Sequence, residues 1–109
     1  MCKLEVTLHE TILRLIEQIE NSSLKVREAT VVELNRIISE GVIDSTRAIV
    51  AEGGIFPLVK LIEEGMGRAV EVGLAILYNM SMDVENHSAI VAAGAVSALW
   101  RIILSQRPQ

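Results

Sequence analysis

The chain has 109 residues and a formal net charge of −4, and half of its residues are apolar although it has only one Phe, one Trp and one Tyr. This length fits one domain, and the composition predicts an aliphatic core of helices packed through small residues. Lys and Arg are scattered singly, which argues against nucleic acid or an anionic membrane as a partner.

Cellular context follows from cysteine use and from hydropathy. Cys2 is the only cysteine, so an internal disulfide framework and a thiolate metal cluster are excluded, and we expect a reducing, intracellular setting, cytoplasmic or nuclear. The longest uncharged stretch, 89–100, is too short to span a bilayer and contains Gly94. No apolar secretory signal opens the chain. We therefore expect a soluble protein.

Helix signals run through the whole chain. Apolar residues recur at three- and four-residue steps from Leu8 to Ile19, and Thr7 with Glu10 forms a capping box, which predicts a first helix over 7–20. Further helices are predicted at 24–39, 44–51, 55–64 with Pro57 in the first turn, 67–81, a short one from 83 to Gly94, and a last one to about 106. No strand-like alternation is sustained, so the predicted fold class is all-α.

Internal repetition organises these helices. The segment 48–55 is repeated 41 positions later as 89–96, and Leu58, Leu61 and Ile62 fall on Leu99, Ile102 and Ile103 at the same offset. A second pairing, at an offset of 43, sets Glu28, Val31, Leu34 and Ile37 against Glu71, Leu74, Leu77 and Met80. Helical arrays of the HEAT and armadillo type have a period of about 40 to 47 residues.

The sequences of two segments resemble the armadillo repeat family. Residues 44–62 (DSTRAIVAEGGIFPLVKLI) look like the passage from first to second helix of an armadillo unit, and residues 70–81 (VEVGLAILYNMS) look like its third helix. The run 86–96 (NHSAIVAAGAV) is similar to the armadillo arrays of plant U-box ubiquitin ligases, although this chain contains no U-box.

The resemblance implies a right-handed α-solenoid of about two and a half repeats in a single segment. Its partial first repeat would be 7–39, its full repeat 42–82 and its partial last repeat 83–106. It also implies a protein-interaction module without enzymatic activity or cofactor, which binds a partner peptide or helix along the groove lined by the third helices. Selection of a substrate for ubiquitination would be one such role.

The same resemblance supplies the candidate groove residues. Importin-alpha carries a Trp and, four residues later, an Asn on each third helix, and here Ala75 and Asn79 occupy those places, which argues against importin-type capture of basic signals. The candidate partner-binding residues of the two third helices are Glu28, Val32, Arg36, Glu71, Ala75 and Asn79. The alternative is that Glu28 and Arg36 are solvated surface residues and that the Asn79 side chain satisfies a neighbouring backbone group.

Catalytic and metal chemistry lack candidates in the sequence. His9 and His87 are isolated and are predicted to be ordinary surface residues, Glu63-Glu64 has no acid–base partner, and the glycine pairs lack the Lys-Ser/Thr of a phosphate loop. Cys2 is expected to be incidental.

The two ends of the array differ in their predicted polarity. The first helix carries Glu10, Arg14, Glu17, Gln18 and Glu20 away from its apolar stripe and is expected to act as a polar cap. The last helix carries Trp100 where the previous unit has Val59, and no third helix follows to cover it. A second hypothesis for function is therefore a structural role, in which the chain forms a homo-oligomer by self-association through this helix, or Trp100 is covered by a further repeat of a parent protein.

Overall fold

The computed structural model describes residues 3–41, 44–65 and 67–105, with side chains described for 7–41, 44–65 and 67–104. Within these ranges the chain is all-helical and has no strand. The elements are α1 (Lys3–Asn21), α2 (Leu24–Ser39), α3 (Ser45–Ala51), α4 (Ile55–Glu64), α5 (Arg68–Ser81), a 3-10 turn (Val84–Asn86), α6 (His87–Ala92) and α7 (Ala95–Ser105). Cys2 and the predicted helix end at 106 lie outside the described residues.

The predicted helices are confirmed, except that α1 begins earlier than predicted and that the short helix predicted from 83 to Gly94 is divided into a 3-10 turn and α6. Helix α1 begins at Lys3, so the Thr7–Glu10 pair lies inside the helix and does not start it. A capping box forms only where the backbone of the capping residue leaves the helix, and the residues before Thr7 include neither Gly nor Pro to force that departure. The outward residues of α1 from Glu10 to Glu20 are exposed as predicted, while Ile12, Leu15, Ile16 and Ile19 are buried.

Two pairs of helices that match in the repeat pack on one another, α2 with α5 and α4 with α7. The most extensive contact joins α2 to α5, and α4 contacts α1 on one side and α7 on the other, as well as α5. Helix α1 also packs on α2 and α3. The molecule is elongated, with principal extents of 53 × 31 × 22 Å.

The core is aliphatic, as the composition predicted. Leu34, Leu58, Leu61 and Leu77, which recur at matching repeat positions, are all buried. The matching repeat positions predict that Leu74 and Leu99 are buried as well, but Leu74 is only partly buried and Leu99 is exposed, so the prediction is wrong for Leu99. Leu99 lies on α7, which contacts fewer helices than α4 does.

Two glycines, Gly54 and Gly73, allow helices to approach closely, and Gly54 also belongs to the turn that ends α3. Gly53 has a φ of +71° and, with Gly54, closes α3: the Gly53 N–H donates to the Val50 carbonyl and the Gly54 N–H to the Ile49 carbonyl, the pattern of a Schellman motif. A Cβ at Gly54 would lie 2.7 Å from Ile16 Cδ1 on α1. A Cβ at Gly73 on α5 would lie 2.9 Å from Ile62 Cγ1 on α4. Both contacts therefore require the absence of a side chain.

In the described part of the chain, no helix is by itself long and apolar enough to cross a bilayer. The pair Val84–Ala92 and Ala95–Leu104 reaches the necessary length and hydropathy only together, across a bend of 72°.

Candidate functional site

The six predicted groove residues lie on the two helices that pack most extensively together. Glu28, Val32 and Arg36 are spaced one turn apart on α2, and Glu71, Ala75 and Asn79 repeat that spacing on α5. Arg36, Glu71, Ala75 and Asn79 are exposed, and Glu28 and Val32 are partly buried. Among the described residues, no side-chain hydrogen bond or ion pair joins any two of the six. The α2–α5 surface, as we call these six residues, is thus accessible and not internally cross-linked.

Arg36 is held by carboxylates of its own helix. Its guanidinium donates to Glu33 through two nitrogens, and Nη1 donates to Glu40 Oε2 at 2.7 Å. Hydrogen bonding from Arg36, assisted by its charge, lowers the pKa of the Glu33 carboxyl, and the same two partners raise the pKa of Arg36. A depressed carboxyl pKa means that the interaction is fully present above the ordinary pKa and is lost as the pH falls through the depressed value. Arg36 is therefore a preoriented but already paired cation.

Two asparagines near the end of α5 have opposite environments. Asn86 is buried, and its Nδ2 donates to the Met80 carbonyl at 2.9 Å, which satisfies one of the last carbonyls of α5. Asn79 is exposed, and within the described residues its side chain has no hydrogen-bond partner. The alternative prediction, that the Asn79 side chain satisfies a neighbouring backbone group, is therefore wrong for the described residues. An amide that is exposed and unpartnered is free to donate and accept at once.

Both histidines make structural contacts. His87 is exposed, and its Nε2 lies 2.7 Å from the Ser81 carbonyl oxygen, so that nitrogen must carry the donated proton. With Asn86 it closes the carboxyl end of α5, a role that the sequence did not indicate. His9 is only partly exposed, and its Nδ1 lies 3.0 Å from Glu52 Oε1, which ties α1 to the end of α3. Among the described residues no group of three or more His, Cys, Asp or Glu is placed to hold a metal ion.

Helix α7 has apolar residues on two sides. Ala95 and Ala98 are buried where α7 packs on α4, and Ile102 is partly buried beside them. A second stripe has the spacing of one helical face and is exposed: Val96, Leu99, Trp100 and Ile103. Trp100 is 60% exposed. Sequence reasoning singled out Trp100 alone, although the spacing of the other three along the helix was also readable. We call these four residues the α7 stripe.

A further cleft lies where the end of α1, the start of α2 and α4 meet. It has a volume of about 330 Å³ and is bordered by Arg27, Phe56, Lys60 and the carboxylates of Glu20 and Glu64. Arg27 Nε is buried in its wall with no hydrogen-bond partner. Because two cations and two carboxylates border it, the cleft has no net charge that would select an ionic ligand. No sequence motif pointed to it.

Comparison with known proteins adds no relative: no protein-family model, curated protein or solved structure matches this chain.

Proposed function

We infer that the chain is a segment of an armadillo-type solenoid that binds another protein, with the α2–α5 surface as the binding groove. Two observations support the architecture. The sequence repeats at armadillo length, and two pairs of helices related by that repeat are in contact: α2 with α5, and α4 with α7. In such an array α2 and α5 are successive third helices, and the groove runs across them.

The observation that carries the binding role is the exposed, unpartnered side chain of Asn79 on α5. Its amide can donate to a carbonyl and accept from an N–H of an extended peptide. Ala75, one turn earlier, is exposed and small, so it leaves room for the chain of a ligand. Arg36, fixed by Glu33 and Glu40, adds a positioned cation on the neighbouring helix. A non-catalytic interaction module is the function that this set of residues supports best.

Site-specific photocrosslinking tests the groove. A photoreactive residue at Ala75 is compared with one at Ala51, an exposed alanine on α3 that lies outside the groove. In cell extract we expect a discrete crosslinked protein from position 75 and none from position 51, and Asn79→Ala or Arg36→Ala should weaken the purified complex about tenfold. Equal capture at both positions, or undiminished binding by both alanine variants, would rule out the groove.

The exposure of Trp100 favours a second candidate, a structural role in which the chain self-associates through α7. Sedimentation equilibrium tests it together with Trp100 emission, which no other tryptophan obscures. Self-association predicts an average mass and a Trp100 emission maximum that both change on dilution. A monomer with solvent-exposed Trp100 at every concentration would exclude it.

A further inference from the structure

The repeat within the chain provides a template for what covers the α7 stripe. At an offset of 41 residues, Val96, Leu99, Trp100 and Ile103 on α7 correspond to Ile55, Leu58, Val59 and Ile62 on α4. All four α4 residues are buried, whereas all four α7 residues are exposed. Ile62 and Ile103 show the contrast within one residue type, because Ile62 is 2% exposed and Ile103 is 56% exposed. The same apolar face is therefore covered in one unit and open in the next.

Helix α5 covers two of these four α4 residues, Leu58 and Ile62. The position of a Cβ at Gly73 lies 2.9 Å from Ile62 Cγ1 and 3.8 Å from Leu58 Cδ1, so the α5 backbone crosses directly over this pair. Ala69, four residues earlier on α5, is also buried. A stripe of small residues four apart is what lets two helices approach this closely. Leu99 and Ile103 are the equivalents of the pair that Gly73 crosses.

We propose that the α7 stripe is a docking site for an amphipathic helix of a partner protein, and that this helix carries a glycine where it crosses Leu99 and Ile103. The partner helix presents an uncharged face with a second small residue one turn before the glycine, as Ala69 stands before Gly73. The stripe has no charged residue to pair, and Arg101 beside it is already bonded to Glu63 at 2.7 Å. Recognition is therefore by apolar burial and shape, in the manner of a helix lying in a groove.

A second copy of the chain fits the site less well. Its own α5 is already packed between α2 and α4, and its α7 would present Trp100 and Ile103 where the template has a glycine. Bulky side chains facing one another hold two helices further apart than the α4–α5 contact. This site is separate from the α2–α5 surface, so either assignment can fail without the other.

A peptide with the sequence of residues 67–82 is the direct probe, because it is the covering helix of the previous unit. A hydrocarbon staple between positions 71 and 75, which are both exposed on α5, fixes its helicity. The matched control peptide carries Gly73→Val in the same stapled frame, and circular dichroism verifies equal helix content. Binding of the fluorescently labelled peptides to the whole chain is followed by anisotropy, and shielding of Trp100 from iodide reports the location.

We expect saturable binding of the glycine peptide, protection of Trp100 and at least tenfold weaker binding of the Gly73→Val peptide. In the chain, Ile103→Glu should weaken binding at least tenfold. Phe56→Glu, which changes an equally exposed apolar residue on α4, should leave binding unchanged. The proposal is wrong if the helical glycine peptide does not bind or if both peptides bind alike. It is also wrong if sedimentation reveals a dimer that shields Trp100 and that the peptide does not dissociate, since a second copy would then be the occupant.

Discussion

Helices α4 and α7 occupy the same place in the repeat and carry matching apolar residues, yet only on α4 are those matched residues covered by neighbouring helices. Helix α4 contacts α1, α5 and α7, and its residues Ile55, Leu58, Val59 and Ile62 are buried. Helix α7 packs on α4 and α6 and leaves the α7 stripe open. A repeat pattern therefore fixes which face of a helix is apolar, whereas burial depends on whether another helix is present to cover that face.

The largest difference in unfolding free energy is expected between substitutions of the matched leucines of α4 and α7. Leu58→Ala removes a buried side chain and leaves a cavity beneath α5, and we expect a loss of about 2 to 5 kcal/mol of unfolding free energy. Leu99→Ala trims a side chain that is 36% exposed, and the loss should stay below about 1 kcal/mol. Urea denaturation of both variants measures the two values. Equal losses would mean that the α7 stripe is covered in solution.

An intermediate difference in stability is expected for substitutions of the residues just before the matched apolar residues of α4 and α7. Gly54 corresponds to Ala95, and a Cβ at Gly54 would lie 2.7 Å from Ile16 Cδ1 and 2.9 Å from Ile49 Cγ2. Because these atoms belong to the packed core, Gly54→Ala should destabilise the fold by about 1 to 3 kcal/mol. Ala95→Gly makes the reverse change in α7 and should cost no more than about 1 kcal/mol. Thermal unfolding of the pair tests the ranking, and a stabilised Gly54→Ala protein would contradict the close contact with α1.

The smallest change in stability is expected for the ion pair between α7 and α4. Arg101 Nη1 donates to Glu63 Oε2 at 2.7 Å, but the Arg101 side chain is 68% exposed. Solvent and salt screen such a pair, so Arg101→Gln should cost less than about 1 kcal/mol, and added salt should reduce the difference. Denaturation at low and high ionic strength measures it. A loss that is large and independent of salt would show that Arg101 also contributes by packing.

Sequence reasoning predicted local features better than tertiary contacts. The ends of α2 to α5 follow from signals that act within a few residues, such as the glycine pair after α3 and Pro57 in the first turn of α4. The prediction that the first helix starts at Thr7 is wrong, because Thr7 and Glu10 match a capping box only by residue type. Whether a cap forms depends on the backbone conformation at that position.

The sequence predicted which residues of the candidate groove are accessible, but not which partners their side chains bind. The spacing placed Arg36 and Asn79 on accessible helix faces, as the structure has them. It did not reveal that Arg36 is bonded to both Glu33 and Glu40, since residue spacing cannot choose among competing partners. The role of Asn86 and His87 at the end of α5 was missed for a related reason. Their partners, the carbonyls of Met80 and Ser81, are backbone atoms that no residue pattern identifies.

The small number of helices that contact α7 has a consequence for local unfolding. Its principal contacts are with α4 and α6, whereas α4 has contacts with three helices and α2 with three. Detachment of α6 and α7 would leave the contacts among α1, α2 and α5 intact, so this end should open at a free energy below that of global unfolding. Amide hydrogens of α7 are therefore expected to exchange with solvent deuterons faster than those of α4. Any helix that docks on the α7 stripe would slow that exchange, because it would bind only the chain in which α7 is folded.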